Sequence, residues 1–173
     1  LREEEPFVEG GVITALLESM RRPGRFEVRV DGKQAAVLSV ESISRIGLHV
    51  GDPWTEQLAT RAGAEAEQLR VFDRAMAMLA VRARSVRELR LALLRKQEPE
   101  ALVDAALSKL VGLGSLNDEV FARQFVRARI TRSGFSKRRL QTELARRGVS
   151  RQAADVAIAE VGEEESIDPA ETL

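Results

Sequence analysis

One register recurs along this chain at a spacing of 51 residues, and it constrains the fold more than any single motif. Ser85 matches Ser136, Leu89 matches Leu140 and Leu93 matches Leu144; without a gap, Asp104 then matches Asp155, Leu107 matches Ile158 and Leu110 matches Val161. Upstream, Ala75 and Leu79 fall on Val126 and Ile130. Apolar positions kept in phase across three successive helical stretches mark a tandem repeat of three-helix units. In the first copy, Leu69, Phe72, Met76, Leu79 and Ala83 fall at steps of three and four, the stripe of an amphipathic helix in a stretch that is helical from about Gly63. Ser85-Val86-Arg87-Glu88 has the spacing of a capping box and opens a helix carrying Leu89, Leu93 and Leu94. Pro99 suits the first turn of a third helix, which shows Val103, Leu107 and Leu110 before Gly112 and Gly114 end it. In the second copy Asn117, Ser136 and Ser150 are the expected caps, and Gly148 closes the middle helix. Leu116-Asn117-Asp118 maps onto Ile167-Asp168-Pro169, so a third copy is expected to start where the chain stops.

The first third follows a different period. Val12 to Leu16 reads as a strand and Arg22-Pro23-Gly24 as a turn. Phe26, Val28 and Val30 then alternate with Glu27, Arg29 and Asp31, as in a half-buried strand. Asp31-Gly32 is a dipeptide favoured in two-residue hairpin turns, and Lys33 to Leu38 is the returning strand. A short helix over Val40–Ile46 and a bend from Gly47 to Pro53 close the unit before Trp54, the expected anchor onto the helices. Too few strands are present for a large core, so this unit should lean on its neighbour. The expected organisation is an acidic segment at 1–10, a small β-rich unit at 11–56, three-helix repeats at 63–115 and 116–162, and an acidic linker at 163–173 that begins a truncated third repeat. The fold class is mainly α, with tandem three-helix repeats and a small N-terminal β unit, α+β overall.

Composition removes several chemistries. There is no cysteine and one histidine, His49, so disulfides, thiolate nucleophiles and zinc sites built on cysteines or paired histidines are excluded. His49 has no evident nucleophile and carboxylate partners, and Gly10-Gly11 lacks the lysine and spacing of a phosphate loop. The acids Glu163, Glu164, Glu165 and Asp168 lack the spacing of a calcium loop and read as a solvated linker. Met76 and Met78 read as core fillers. Six Phe, one Trp and no Tyr argue against rows of stacking platforms for single strands. No catalytic residue, cofactor or metal is expected. No apolar run approaches bilayer length and no signal peptide stands at the front, so the chain reads as cytoplasmic and without a membrane partner. It opens on Leu1 with no initiator methionine, as a fragment would.

The formal charge is zero, with 27 basic and 27 acidic side chains, but the layout is polar. Arg123, Arg127, Arg129, Arg132, Lys137, Arg138, Arg139, Arg146 and Arg147 are opposed in their stretch only by Glu143, and the tail then turns acidic.

Arg84-Ser85, Glu88-Leu89 and Leu93, followed by Gly114-Ser115-Leu116-Asn117-Asp118, Phe121-Ala122 and Phe125-Val126, resemble the RecX regulatory protein family. So do Gly134-Phe135-Ser136, Leu140, Glu143-Leu144 and Arg147-Gly148-Val149, and the front end is similar to a small β unit that some members carry. The resemblance covers nearly the whole chain in order. Two places depart from it: Ser115 stands where an aromatic is usual, and the third triplet is not completed by Leu173. The resemblance implies a monomeric protein that binds RecA recombinase filaments on single-stranded DNA. It would suppress their ATPase, strand exchange and co-protease activities, and so damp homologous recombination, DNA repair and the SOS response. Such a filament presents phosphates and acidic protein surface, so the basic residues become the contact candidates: Arg87, Arg90, Arg95 and Lys96 in the first repeat, and Arg129, Arg132, Lys137, Arg138, Arg139, Arg146 and Arg147 in the second. Single- or double-stranded DNA is an accessory contact. Taken singly, each arginine is better read as a solvated helix face; taken as a cluster they favour a binding role. The competing reading is a stand-alone DNA-binding protein whose triplets act as helix-turn-helix modules.

Overall fold

Alternation of apolar residues makes the first third a sheet. Strands β1 (Gly11–Glu18), β2 (Arg25–Val30) and β3 (Lys33–Ser39) form an antiparallel meander, and β4 (Pro53–Trp54) pairs with β1 to give the order β3-β2-β1-β4. The structure is a computed structural model that describes residues 10–130 and 136–167. Ile13, Val28, Val30, Ala36 and Leu38 turn to one side of the sheet and are buried. Ser39 caps helix α1 (Val40–Ile46), its Oγ accepting from the Ser42 N–H at 3.1 Å. The short β4 is additional to the expected strands. It forms because the Ile13 N–H donates to the Asp52 carbonyl and the Gly51 N–H to the Ile13 carbonyl, which lays the bend along β1. Trp54 is buried with Ile46, Leu48 and, from the next helix, Ala62.

That helix, α2 (Glu56–Val81), starts ahead of Gly63. Thr55 caps it, accepting from the Leu58 N–H at 3.2 Å. The residues it sends into the β-unit core are Ala59, Ala62 and Ala66 with Leu58, and alanines leave a faint hydrophobic period. Within α2 the chain divides into two compact units, after Val71. Two members of the expected stripe fall away: Met76 is exposed, and Ala83 lies exposed beyond the helix end. Ala75 takes the inward place, and its neighbour Met76 is rotated outward by about 100°. Met78, the other expected filler, is half-buried.

The second unit carries the repeat. Helices α3 (Val86–Arg95) and α4 (Glu100–Gly112) follow the end of α2; α5 (Asp118–Ile130), α6 (Lys137–Arg146) and α7 (Arg151–Ile167) form the second triplet. Partners at the 51-residue spacing are buried alike: Leu89 and Leu140, Leu93 and Leu144, Val103 and Ala154, Ala106 and Ala157, Leu110 and Val161. Each such leucine removes enough apolar surface from water to contribute roughly 2–3 kcal/mol. The expected caps are in place: the Ser85–Glu88 box is closed both ways, and Asn117, Ser136 and Ser150 accept from the amides of Glu119, Arg139 and Ala153. Pro99 is the cap of α4 rather than part of its first turn, its carbonyl accepting from the Val103 N–H at 3.0 Å. Gly112 is the last helical residue, and Gly114 makes the left-handed exit.

The repeat also preserves a polar cross-tie. Arg90 Nε donates to Asp104 Oδ1 at 3.0 Å, and at the matching positions Gln141 Nε2 donates to Asp155 Oδ1. In one place the copies differ. The first joins Arg74 to Glu98, whose side chain is 2% exposed; the second has Phe125 and Val149 there, packed in its apolar core. No helix among the described residues is long and apolar enough to cross a membrane.

Candidate functional site

The two triplets meet at the start of α3. Ser85 is fully buried there, accepts from the Glu88 N–H and donates its hydroxyl proton to the Arg147 carbonyl. Asp118, at the start of α5, accepts from the Val86 N–H at 2.8 Å, so a carboxylate of the second triplet satisfies an otherwise free first-turn amide of the first. Gly148, with φ +84°, comes so close that a Cβ on it would lie 2.6 Å from the Arg87 Cβ. Arg147 lies 3.6 Å from Glu88 and 3.8 Å from Glu143, with its guanidinium 4.6 Å from the centre of the Phe125 ring. Arg129 stacks on the same ring at 4.9 Å and reaches Glu143 at 3.7 Å. A cleft of about 390 Å³ opens here, but its cations already face carboxylates.

This separates the candidate residues. Arg147 and Arg129 belong to the joint, and Arg90 is tied to Glu100 and Asp104, whose hydrogen bonds raise its pKa above the usual arginine value. Arg139 lies 3.5 Å from Glu143 along its own helix. Arg132 and the Gly134-Phe135 part of the motif lie outside the described residues, as do the acidic segment through Glu9 and the start of a third copy from Asp168. Of the remaining basic stretch, Arg123 and Arg127 pair with Glu160 and Glu164 of α7. Arg87, Arg95, Lys96, Lys137, Arg138 and Arg146 are exposed and enter no ion pair among the described residues.

Four of these free cations occupy repeat-related positions. Arg87 and Arg95 on α3 match Arg138 and Arg146 on α6 at the 51-residue spacing, with exposed Leu91 and Thr142 midway between them. In each helix the three residues span about 80° of arc and about 12 Å of axis, opposite the buried leucines. On α6 the stripe borders a shallow recess of about 350 Å³ that Ser136 and Arg139 also line. Because the end of α6 abuts the start of α3, Arg146 ends one stripe close to where Arg87 begins the other. Such a surface binds anions by charge and by hydrogen bonds from planar guanidinium forks.

Sequence reading missed Asp118 as the cap across the joint and Glu88 and Glu143 as the carboxylates that occupy Arg129 and Arg147. Asp118 looks like any first-turn acid, and no local pattern announces a partner 32 residues away. The Arg87/Arg138 and Arg95/Arg146 correspondence, by contrast, is present in the repeat offset itself. His49 is exposed beside Asp52, at 3.4 Å. Among the described residues no group of three or more acids or histidines is placed to hold a metal ion.

Comparison with known proteins follows the same division. A family model described as the first three-helix domain of RecX matches residues 72–110, and one described as the second three-helix domain of RecX matches residues 117–158. The regulatory protein RecX of Amycolatopsis mediterranei is 44% identical over 87 residues, which cover 50% of this chain and 50% of that protein. That of Mycolicibacterium vanbaalenii is 35% identical over 108 residues, covering 62% and 56%. That of Listeria monocytogenes serotype 4b is 28% identical over 166 residues, covering 91% and 59%. The chain thus spans about half the length of the curated relatives it matches. A crystal structure of a regulatory protein RecX shares the fold, with a TM-score of 0.75 and 22% identity over 87% of this chain and 73% of that one. Both triplet models in order, on the residues that build the two observed triplets, and regulatory RecX proteins that align with up to 91% of this chain, place it in the RecX family.

Proposed function

We propose that this chain acts by binding rather than by chemistry, docking in the cytoplasm along RecA filaments on single-stranded DNA. There it inhibits ATP hydrolysis, strand exchange and co-protease activity. The observation that carries the reading is the recurrence of an unpaired, exposed arginine stripe, Arg87 to Arg95 and Arg138 to Arg146, on the middle helix of each triplet. A repeat that displays the same cationic element twice suits a polymer that offers the same anionic site at regular intervals, because the second contact then forms at high effective concentration. Lys96 and Lys137 add charge at the ends of these stripes. Arg147 acts by tying one triplet to the other through Glu88, and Arg90 and Arg129 by bracing helices within the first and second triplet, so that the stripes present themselves together.

The test is single-strand-dependent ATP hydrolysis by RecA titrated with the protein. Arg138→Glu with Arg146→Glu should raise the half-inhibiting concentration by at least about tenfold, since two charge-assisted contacts become repulsive. The melting curve should not move, because both side chains are exposed. A double variant that inhibits as well as the parent overturns the assignment of this surface. No inhibition by the parent, with tight and steeply salt-dependent binding to bare DNA, would replace the filament reading with the DNA-binding one.

A further inference from the structure

The turn that joins β1 to β2 is not used by the triplet surface, and it has a chemistry of its own. Met20 is fully exposed at its tip, at 101% of the reference area, with exposed Arg21 and Arg22 beside it. Neither guanidinium enters an ion pair or a hydrogen bond among the described residues. The turn is braced rather than loose. The Ser19 N–H donates to the Arg25 carbonyl at 2.7 Å, the Arg22 N–H to the Ser19 carbonyl at 3.1 Å and the Arg25 N–H to the Arg22 carbonyl at 3.0 Å. Glu18, the one acid of the turn, spends its carboxylate on the Gly24 N–H at 3.1 Å, which holds it at the base of the loop. The turn between β1 and β2 thus carries two free guanidiniums and one exposed apolar side chain on a braced backbone.

The geometry points to this hairpin tip as a contact for duplex DNA, independent of the filament reading. β3 runs beside β2 as far as Arg25, so only the turn stands past the strand ends, and it is this exposed loop that can reach a groove of the double helix. The guanidiniums then neutralise phosphates at the groove edge, and the thioether chain covers apolar sugar or base-step surface, the pairing of cations with an apolar wedge that groove binders use. Single strands are disfavoured as the occupant because the tip offers no aromatic ring on which an unstacked base can lie. An acidic protein surface would use the arginines but has no need of a protruding Met between β-strand ends.

The experiment is anisotropy of a labelled random-sequence duplex and of its separated strand, titrated with the whole chain over a range of salt concentrations. Arg21→Ala with Arg22→Ala should lower the slope of log affinity against log salt on the duplex by about 1.8, two phosphates at about 0.9 each. Met20→Ala should weaken duplex binding about fivefold with the slope unchanged, because it removes apolar contact and no charge. Both variants should melt as the parent does. The proposal is overturned if the parent does not bind the duplex, if the double variant keeps the parent's slope, or if the losses are as large on the single strand as on the duplex. It is likewise overturned if the variants lose inhibition of RecA while binding duplex normally, which would make the tip a protein contact.

Discussion

Replacing Gly148 with alanine should destabilise the helical unit through two separable effects. Its φ of +84° lies in the left-handed region, where a Cβ costs about 1 kcal/mol or somewhat more. The added atom would also stand 2.6 Å from the Cβ and 2.7 Å from the Cδ of Arg87. The Cδ can swing aside, but the Cβ is fixed to α3, so the triplets must separate by several tenths of an ångström, an overpacking cost of roughly 2 kcal/mol. Gly114 supplies the control: its φ is +69°, yet a Cβ there meets nothing within 4 Å. Gly114→Ala should therefore cost about 1 kcal/mol and Gly148→Ala about 3 kcal/mol, and any gain from a stiffer unfolded chain is common to both. For a unit the size of residues 72–173, that is a fall in Tm of about 4–8 °C against about 12–24 °C. Thermal and urea melts followed by circular dichroism read the difference, and Arg87→Gly combined with Gly148→Ala should recover the roughly 2 kcal/mol contact component as a coupling energy. Equal losses at the two glycines, or no coupling to position 87, would refute the close contact between the triplets.

The remaining predictions concern the repeat. Leu93→Asp or Leu144→Asp puts a carboxylate where the native side chain is fully buried and should unfold that triplet; an unchanged melting curve would refute the repeat alignment. Arg74→Phe alone should cost about 3 kcal/mol by taking the guanidinium from a carboxylate that is 2% exposed. Arg74→Phe with Glu98→Val, which imports the residue types of the second triplet, should melt at or above the parent. Asp118→Ala should cost about 1 kcal/mol through the lost cap on α3, visible in the same melts. Arg90→Gln should be tolerated in both melting and RecA inhibition, since Gln141 already makes the equivalent bond to Asp155. A loss of inhibition at native stability would return Arg90 to the binding surface.

Much of this architecture can be read from residue order because it is made by local rules repeated in register. The capping box at Ser85, the caps at Asn117, Ser136 and Ser150, and the leucines at 89, 93, 140 and 144 each follow from contacts within a few residues of chain. The start of α2 is hidden because its buried side chains are alanines, and β4 because two residues carry no period. The basic cluster was legible as a cluster only. Which of its members are free depends on carboxylates brought in from other helices, Glu160 and Glu164 against Arg123 and Arg127, and Glu88 against Arg147.

The amino-acid sequence alone determined the repeat of one triplet in the next, the period and phase of their apolar faces, and the correspondence of Arg87 with Arg138 and Arg95 with Arg146. Helical periodicity is a property of neighbours three and four residues apart, and it survives copying intact. Only the tertiary structure decided that Arg90, Arg129 and Arg147 hold the scaffold together while the stripes on α3 and α6 stay free. An ion pair is set by distances through space, between Arg123 and Glu160 or between Arg147 and Glu88 across the joint, and helix packing brings together charges that chain order keeps dozens of residues apart.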